Sequence, residues 1–354
     1  MIEGHTIDVF LADKYRLPDS FIYKTWFEIR GLTAPIFMFT AGLVFTYLLL
    51  KNNQPFKNNP RVKKGLKRFG SLIFLGYLLR FPTANLFNLA NLSESKWRNF
   101  FVVDALHLIG MGLLTILFLI FLTEKFKLHR ISVFIFVSFT LLIFSPITSL
   151  INFASFLPLP IAAYFNSQTG SFFPLFPWLG FVTSGAVLGL CLWKNKELLA
   201  GTKLVQYLFV LSAGLFSLSH LIYLFAYKLF ELTEYAKIFG QAELGIFRLS
   251  VVLFLSAIIF IISRLIKNIP PIILKFGRYS LSIYIVHLII LYGSVVTLGI
   301  NNVYRHKSNP VVSVAAALVM IFAMGKMTLL MDRFKSFKKR KLDSFVIKQA
   351  PDLR

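Results

Sequence analysis

Residues 101–123, FVVDALHLIGMGLLTILFLIFLT, decide the fold class of this chain. The stretch carries a single acidic residue, Asp104, and contains neither Lys nor Arg. A helix needs about 20 predominantly apolar residues to cross the hydrocarbon core of a bilayer. Residues 101–123 are therefore predicted to form a transmembrane helix with Asp104 near one end.

Further apolar runs of this kind follow one another along most of the chain. They lie at 31–50, 69–90, 131–151, 172–193, 204–227, 247–266, 277–298 and 310–331. Of the 354 residues, 56% are hydrophobic and the mean hydropathy is +0.71, which leaves too little polar surface for a soluble globule. The predicted fold class is all-α, a polytopic transmembrane helix bundle of about nine spans.

The excess of Lys and Arg falls in alternate gaps between the apolar runs. The gap at 51–68 holds seven basic residues and no acid, and a second basic cluster begins at Arg333. Cytoplasmic loops are enriched in Lys and Arg, so both segments are predicted to be cytoplasmic. The formal charge of +23 is thus explained by topology and contact with anionic membrane lipids, not by nucleic acid. We expect a multi-pass protein of a bacterial inner membrane with a cytoplasmic C terminus.

Three segments are predicted from this pattern. They are an outer amphipathic segment at 1–30, a single integral membrane domain at 31–332, and a basic cytoplasmic tail at 333–354. Neither internal repeats nor a linker rich in Pro, Gly or Ser divides the chain. Two interpretations of the start stay open: the first span exports the N-terminal segment, or one more helix normally precedes Met1, which gives about ten spans.

Ionisable residues within the apolar runs are candidates for function, because a charge at bilayer depth is costly without a partner or a wet cavity. Asp104 and His107 are three residues apart and share one helical face. A carboxylate beside an imidazole fixes its tautomer and suits a general base. The alternative is a helix start with Asp104 near the N terminus and His107 packed. Arg80 is expected to bind an anion or pair with Asp104.

The other histidines are weaker candidates by themselves. His5 lies in the N-terminal segment, where a solvated side chain is the default, whereas His220 and His287 lie within apolar runs. A lone buried histidine is more often a hydrogen-bonded core residue than a catalyst. The histidines lack the i, i+4 spacing of a helical zinc pair, and the single cysteine, Cys191, excludes a disulfide framework. We therefore expect no metal site.

Four segments carry a resemblance to a known family. They are WFEIRGLTAPIFMFTAG at 26–42, DALHLIG at 104–110, FPLFPWLG at 173–180 with Gly185 and Gly189, and GRYSLSIYIVH at 277–287. In this order they resemble the heparan-alpha-glucosaminide N-acetyltransferase catalytic family, which belongs to the transmembrane sugar acyltransferases. The resemblance implies transfer of an acyl group from cytosolic acetyl-CoA or another acyl-CoA to a saccharide or glycolipid at the outer face. It implies a cosubstrate and no tightly bound cofactor.

The resemblance also implies roles for individual residues. A histidine near the outer end of the first family helix is typical of the superfamily, and His5 would occupy that place. Family members ordinarily carry an Arg-Gly-containing helix just before this histidine, and its absence here favours an internal start. The predicted catalytic residues are His5, Asp104 and His107. The predicted substrate-binding residues are Glu28, Arg30, Arg80, Tyr284 and His287. The residues expected to meet CoA phosphates are Lys63, Lys64, Lys67 and Arg68.

Two competing classes remain at this point. A transporter or flippase for a small or lipid-linked solute would use the same in-span charges as a permeation path, although transporters tend to show repeats and broken helices. A degenerate family member with a structural or partner-binding role is the third class. The basic gap at 51–68 is equally explained by topology, so it does not choose between these classes.

Overall fold

The computed structural model describes residues 1–83, 85–199, 201–230, 234–266 and 268–349, without the side chains of 86, 88, 227, 229–230, 234–239 and 338–349. The end of the predicted basic tail, 350–354, lies outside the described residues. The α-helices of the described chain are α1 (Ile2–Phe10), α2 (Phe21–Gly31), α3 (Thr33–Leu50), α4 (Pro60–Leu79), α5 (Glu94–Phe100), α6 (Ala105–Lys125), α7 (Arg130–Ile143), α8 (Ser145–Leu150), α9 (Leu159–Ala162), α10 (Leu175–Lys194), α11 (Lys203–Phe230), α12 (Glu234–Leu265), α13 (Pro271–Arg278), α14 (Ser280–Tyr292), α15 (Asn301–Tyr304) and α16 (Pro310–Gln349).

The remaining regular structure is short. Single 3₁₀ turns or short 3₁₀ helices lie at Asp13–Tyr15, Phe56–Asn58, Leu86–Asn91, Phe153–Ser155, Ser167–Thr169 and Lys196–Leu199. Strands β1 (Gly293–Ser294) and β2 (Thr297–Leu298) form a two-residue antiparallel hairpin after α14. The predicted all-α class is confirmed.

Six helical segments of the described chain are long and apolar enough to cross a membrane. They are Phe21–Leu50, Ala105–Lys125, Leu175–Lys194, Lys203–Ala226, Gly240–Leu265 and Pro310–Phe337. The pair α13 and α14 passes the same test only together, with a bend of 73° between them, and would be a seventh span. A helical membrane protein is thus confirmed, whereas the predicted count of about nine spans is not.

The two other predicted spans form helices that fall short of the test. Helix α7 is apolar but has only 14 residues. Helix α4 begins with a basic first half and ends at Leu79, so the run predicted at 69–90 is not one helix. Pro82 disfavours helical backbone at the residue before it and cannot continue the helical hydrogen bonds. Arg80, which the sequence placed within that run, is the C-cap residue of α4 and so lies at the end of the helix.

The backbone contacts group the chain into two compact units. The first unit joins Met1–Arg30 to Ile266–Arg354, and the second is Gly31–Leu265. The predicted division at 1–30, 31–332 and 333–354 places residues 266–332 differently, and that division stays a prediction.

In the second unit, α3 and α10 approach closely because glycines stand where side chains would collide. A Cβ atom on Gly185 would overlap the backbone carbonyl of Phe39, and one on Gly42 would overlap the carbonyl of Val182. Gly189 faces the α3 backbone in the same way. Small residues let helix backbones pack closely in membranes, where van der Waals contact drives association. These glycines therefore define the contact between α3 and α10.

In the first unit, α1 packs against α14 and α16. The buried apolar core between these helices consists of Val9, Ile283, Leu291, Met320 and Met324. A second small cluster joins Ile7 and Leu11 to Ala317. The N-terminal helix is thus held by the C-terminal helices of the chain.

Backbone hydrogen bonds strengthen the same attachment. Leu11 and Ser308 form a parallel β-bridge. The Ser308 N–H donates to the Phe10 carbonyl at 2.8 Å, and the Ala12 N–H donates to the Ser308 carbonyl at 2.9 Å. These bonds fix the end of α1 against the segment that precedes α16.

Candidate functional site

The predicted site residues gather in two groups, one within each unit. The first group is centred on His5 and His287 and also includes Arg30 and Tyr284, and the second is centred on Asp104 and His107. Both groups contain a histidine nitrogen that is buried and without a hydrogen-bond partner among the described residues.

His5 lies on α1 and is half-buried. Its Nδ1 is 3.2 Å from the hydroxyl oxygen of Tyr292, a residue that is 40% exposed at the end of α14. The His5 ring centroid lies 5.5 Å from that of His287 and 5.9 Å from that of Tyr292. The packing of α1 against α14 therefore gathers two imidazoles and a phenol from opposite ends of the chain.

His287 is fully buried on α14, one turn after Ile283. Its Nδ1 lies 2.7 Å from the Ile283 carbonyl oxygen. A carbonyl oxygen only accepts hydrogen bonds, so Nδ1 carries the hydrogen and Nε2 carries a lone pair. This Nε2 atom is buried and has no hydrogen-bond partner in the described chain. The Tyr284 ring packs at 5.8 Å from the His287 ring.

A network of charges surrounds His5 in the same unit. The Asp8 carboxylate accepts a hydrogen bond from Arg30 at 2.9 Å and one from Arg16 at 3.1 Å. The Arg30 guanidinium also lies 5.4 Å from the Trp26 ring centroid. A Cβ on Gly4 would come within 3.1 Å of the Arg30 side chain, so the glycine leaves room for it. Arg30 is thereby oriented by Asp8 on one side and Trp26 on the other.

These surroundings keep the His5 imidazole neutral. Burial, then the neighbouring His287 and the positive charge of Arg30, lower the pKa of His5 to about 4. At neutral pH one ring nitrogen of His5 therefore carries a lone pair that can accept a proton.

In the second unit, Asp104 is the N-cap of α6. Its Oδ1 accepts hydrogen bonds from the backbone N–H of Leu106 at 2.9 Å and of His107 at 3.2 Å. The His107 Nδ1 lies 2.9 Å from the same carboxylate, closer than its 3.3 Å approach to the Asp104 backbone nitrogen. The predicted alternatives of a helix cap and an Asp–His pair are thus both present in one arrangement.

Arg80 completes the group in the second unit. Its Nε lies 3.7 Å from the Asp104 carboxylate, an ion pair, and its Nη1 donates to the Asn99 side chain at 3.3 Å. The guanidinium also lies 5.3 Å from the Phe172 ring centroid. Of the two roles expected from the sequence, pairing with Asp104 is the one found.

His107 is sealed from solvent, with no exposed surface. The Tyr77 ring stands edge-on to the imidazole at 4.3 Å between centroids. A Cβ on Gly76 would lie 2.5–2.8 Å from three atoms of the His107 ring, so only glycine fits there. If Nδ1 donates to Asp104, then Nε2 is a buried lone pair without a partner in the described chain.

Replacing Gly76 with Ala is expected to destabilise the protein by about 1–3 kcal/mol, because the new methyl group must displace the His107 imidazole. Thermal unfolding in detergent, followed by size-exclusion chromatography of the heated sample, measures the change. Gly70→Ala on the same helix is the matched control, since a Cβ at Gly70 meets nothing within 4 Å. Equal melting temperatures for the two variants would contradict the packing of His107 on Gly76.

Other predicted residues lie outside both groups. Glu28 is exposed on α2, and His220 is exposed on α11 beside Tyr223. The residues predicted to meet CoA are exposed on the first half of α4: Lys63, Lys64, Lys67 and Arg68. The described residues contain no cluster of three or more His, Cys, Asp or Glu side chains that could hold a metal ion.

The sequence reasoning missed several residues of these groups. Asp8 flanks His5 in the sequence at a spacing of three, which puts both on one helical face, but it was not among the predicted site residues. Tyr292 is far from His5 along the chain, and Gly76 and Tyr77 carry no local pattern that points to His107. These contacts depend on which helices pack together.

One family model matches the chain. It is the model described as heparan-alpha-glucosaminide N-acetyltransferase, catalytic, and it matches residues 1–228. The match includes His5 and the Asp104–His107 group and ends before α14. No curated protein sequence and no solved structure gives a match.

Proposed function

Because the chain belongs to the heparan-alpha-glucosaminide N-acetyltransferase catalytic family, we propose that it is an acyl-CoA-dependent transmembrane acyltransferase with a sugar-like acceptor. The donor is acetyl-CoA or another acyl-CoA on the cytosolic side. The acceptor is a saccharide or glycolipid hydroxyl or amine at the extracytoplasmic face of a bacterial inner membrane. The basic gap at 51–68 supports this orientation through the positive-inside rule.

The observation that carries this proposal is the neutral, half-buried His5 beside Tyr292. With Nδ1–H donating to the Tyr292 hydroxyl, the His5 Nε2 accepts the proton of the attacking hydroxyl or amine. The acceptor oxygen or nitrogen forms the new bond to the acyl carbonyl carbon, and the carbon–sulfur bond breaks. The departing CoA thiolate then takes the acceptor's proton from His5. A positioned base of this kind typically contributes about 10²–10⁴ in rate.

Charged groups near His5 are assigned to binding and stabilisation. Arg30 offers guanidinium N–H donors to the oxyanion that develops on the acyl carbonyl, and Tyr284 is a further hydroxyl of the same unit. Arg30 is already oriented by Asp8, which reduces the reorganisation needed during the reaction. Glu28 is exposed on the same helix and would meet the acceptor rather than the reacting atoms.

The Asp104–His107 pair is the second candidate base. Its support is the 2.9 Å contact that orients the imidazole and the unpartnered Nε2. Arg80 would then bind substrate or stabilise the oxyanion from beside Asp104. The rates of acyl transfer by the His107→Leu and His5→Gln variants show which histidine is the base. Only loss of the true base should abolish turnover while the protein stays folded.

The donor side is assigned to the exposed cations of α4. Lys63, Lys64, Lys67 and Arg68 present four positive charges that attract the phosphates of CoA. Anionic lipid headgroups would be attracted equally, so binding of CoA in detergent free of anionic lipid is the informative measurement.

The direct test of the function is acyl transfer by detergent-purified protein. Labelled acetyl-CoA is offered with a panel of glucosamine-type amines and sugars that present only hydroxyls. We expect labelled acetyl-sugar to form with wild-type protein and not without acceptor. If well-folded protein neither transfers the acetyl group nor binds CoA, the proposed acyltransferase function is rejected.

A transporter or flippase is the competing function, and the bent pair α13 and α14 is the observation that favours it, because transporters build substrate sites from broken helices. Uptake of a labelled sugar into proteoliposomes in the absence of acyl-CoA would support transport. Uptake that stays at the level of protein-free vesicles, together with acyl transfer, would support the enzyme.

The proposed orientation makes a prediction about solvent access. In a Cys191→Ser background, a cysteine at Asn301 is expected to react with a membrane-impermeant thiol reagent applied outside intact cells. A cysteine at Asn58, in the basic gap, is expected to react only after permeabilisation. The reverse pattern of labelling would invert the topology and place the proposed acceptor side in the cytoplasm.

A further inference from the structure

We propose that α13 is an interfacial helix that lies in the plane of the bilayer boundary. Its apolar side chains enter the outermost part of the acyl-chain region, and its basic side chains face anionic lipid headgroups. The bent pair of α13 and α14 is then an interfacial helix followed by a helix that enters the bilayer, not one broken span. This inference concerns a lipid surface and does not depend on the proposed acyltransferase function.

Helix α16 shows at which level of the membrane α13 lies. From Pro310 to Met331 the sequence of α16 contains one charged residue, Lys326. At a rise of about 1.5 Å per residue, Asp332 lies about 33 Å along the helix from Pro310, close to the thickness of the hydrocarbon core. Asp332 therefore lies near a boundary of the bilayer.

Side chains at the end of α13 attach this helix to Asp332. The Lys275 Nζ lies 3.0 Å from the Asp332 carboxylate, and the Arg278 guanidinium lies 3.6 Å from it. The hydroxyl of Tyr279, the residue after α13, donates a hydrogen bond to the same carboxylate at 3.2 Å. Because three groups contact one boundary residue, α13 is held at the boundary as well.

The direction and the two faces of α13 fit a helix that lies along the membrane surface. It is bent by 73° from α14, so the two helices cannot both run along the membrane normal. At about 3.6 residues per turn, the large apolar side chains share one arc of α13 and the basic side chains share the remaining arc. The apolar arc contains Ile272, Ile273, Leu274 and Phe276, and the basic arc contains Lys275 and Arg278. Helices that lie in the membrane interface have this amphipathic pattern.

Both arcs have side chains that lipid can reach. Ile273 is 57% exposed and Leu274 is 56% exposed, and the Arg278 side chain is 66% exposed. The single carboxylate of Asp332 balances only one of the two positive charges on Lys275 and Arg278. The boundary therefore keeps a net positive charge at α13, and anionic headgroups attract such a charge.

Depth-dependent fluorescence quenching tests the position of α13. In a Cys191→Ser background, a fluorophore is attached to the thiol of Ile273→Cys, and the full-length protein is placed in lipid nanodiscs. We expect stronger quenching by lipids with a nitroxide near the headgroup than by lipids with a nitroxide at the end of the acyl chain. The control is Val319→Cys, an exposed site on α16 about 14 Å from Pro310, for which the order should be reversed.

Two results for the Ile273→Cys label would overturn the proposal. Stronger quenching from the end of the acyl chain would place α13 inside the bilayer, as part of a span. Quenching by aqueous iodide without quenching by either lipid would place α13 in water. Ile273 and Val319 are both exposed, so neither substitution removes a buried packing contact.

The choice of the lipid that carries the nitroxide tests the basic arc. Around the Ile273→Cys label, anionic lipid should be enriched over zwitterionic lipid by up to about fivefold, the factor that corresponds to one surface charge. Arg278→Gln should reduce this enrichment. Lys51→Gln, which removes an exposed positive charge from the other unit, should leave it unchanged. No enrichment in the wild-type background, or equal reductions by the two variants, would contradict binding of anionic headgroups by α13.

Discussion

Replacing His5 with Gln is expected to lower the rate of acyl transfer by about 10²–10⁴-fold, the usual contribution of a general base. Glutamine keeps a polar side chain of similar reach but cannot take up a proton. His5 is half-buried and its side chain meets the hydroxyl of the partly exposed Tyr292, so the fold should tolerate the change. The rate is measured with labelled acetyl-CoA and a glucosamine-type acceptor in detergent.

The pH dependence gives an independent check on His5. The base acts only when unprotonated, so wild-type kcat/KM should fall as pH drops through about 4, where His5 titrates. The control is His129→Asn, which should keep wild-type turnover. If His5→Gln protein is folded and turns over at the wild-type rate, His5 is not the base and the Asp104–His107 pair takes its place.

Replacing Gly185 with Ala is expected to cause the largest loss of stability, at or above the upper end of the usual 1–3 kcal/mol for overpacking. The added Cβ would overlap the backbone carbonyl of Phe39, and a backbone atom cannot move aside as a side chain can. Helices α3 and α10 would have to separate along their contact. The melting temperature in detergent and the yield of monodisperse protein report the effect.

The control for this prediction is Gly214→Ala on α11, where a Cβ meets nothing within 4 Å. That variant should be as stable as wild type or slightly more stable, because alanine is a better helix former than glycine. Equal melting temperatures for Gly185→Ala and Gly214→Ala would show that α3 and α10 do not pack through Gly185.

The helical class was predictable from the sequence because it depends on long apolar runs, whereas the number of spans was not. Each predicted span overlaps a helix, but length and charge decide which helix can cross a bilayer alone. Helix α4 begins in the basic gap at 51–68, so its first half is charged, and it stops before Pro82. The run at 277–298 is divided into a bent pair and a hairpin by backbone geometry that hydropathy does not report.

The two candidate groups differ in how far the sequence could predict them. Asp104 and His107 are close in sequence, so helical spacing brings them together whatever the tertiary fold. His5 and Tyr292 are separated by 287 positions, and their contact exists only because α1 packs on α14. The resemblance singled out His5 and His287 separately, whereas the packing of α1 on α14 makes them neighbours.

Acyl transfer across the membrane of proteoliposomes, with donor and acceptor on opposite sides, tests the central claim most directly. Labelled acetyl-CoA is supplied only in the compartment that faces Lys63 and Lys64. A glucosamine-type acceptor is supplied only in the compartment on the opposite side of the membrane. We predict labelled acetyl-sugar on the acceptor side with wild-type protein and none with His5→Gln. If folded, CoA-binding protein yields no acetyl-sugar there, or yields it only when donor and acceptor share one side, transfer across the membrane is contradicted.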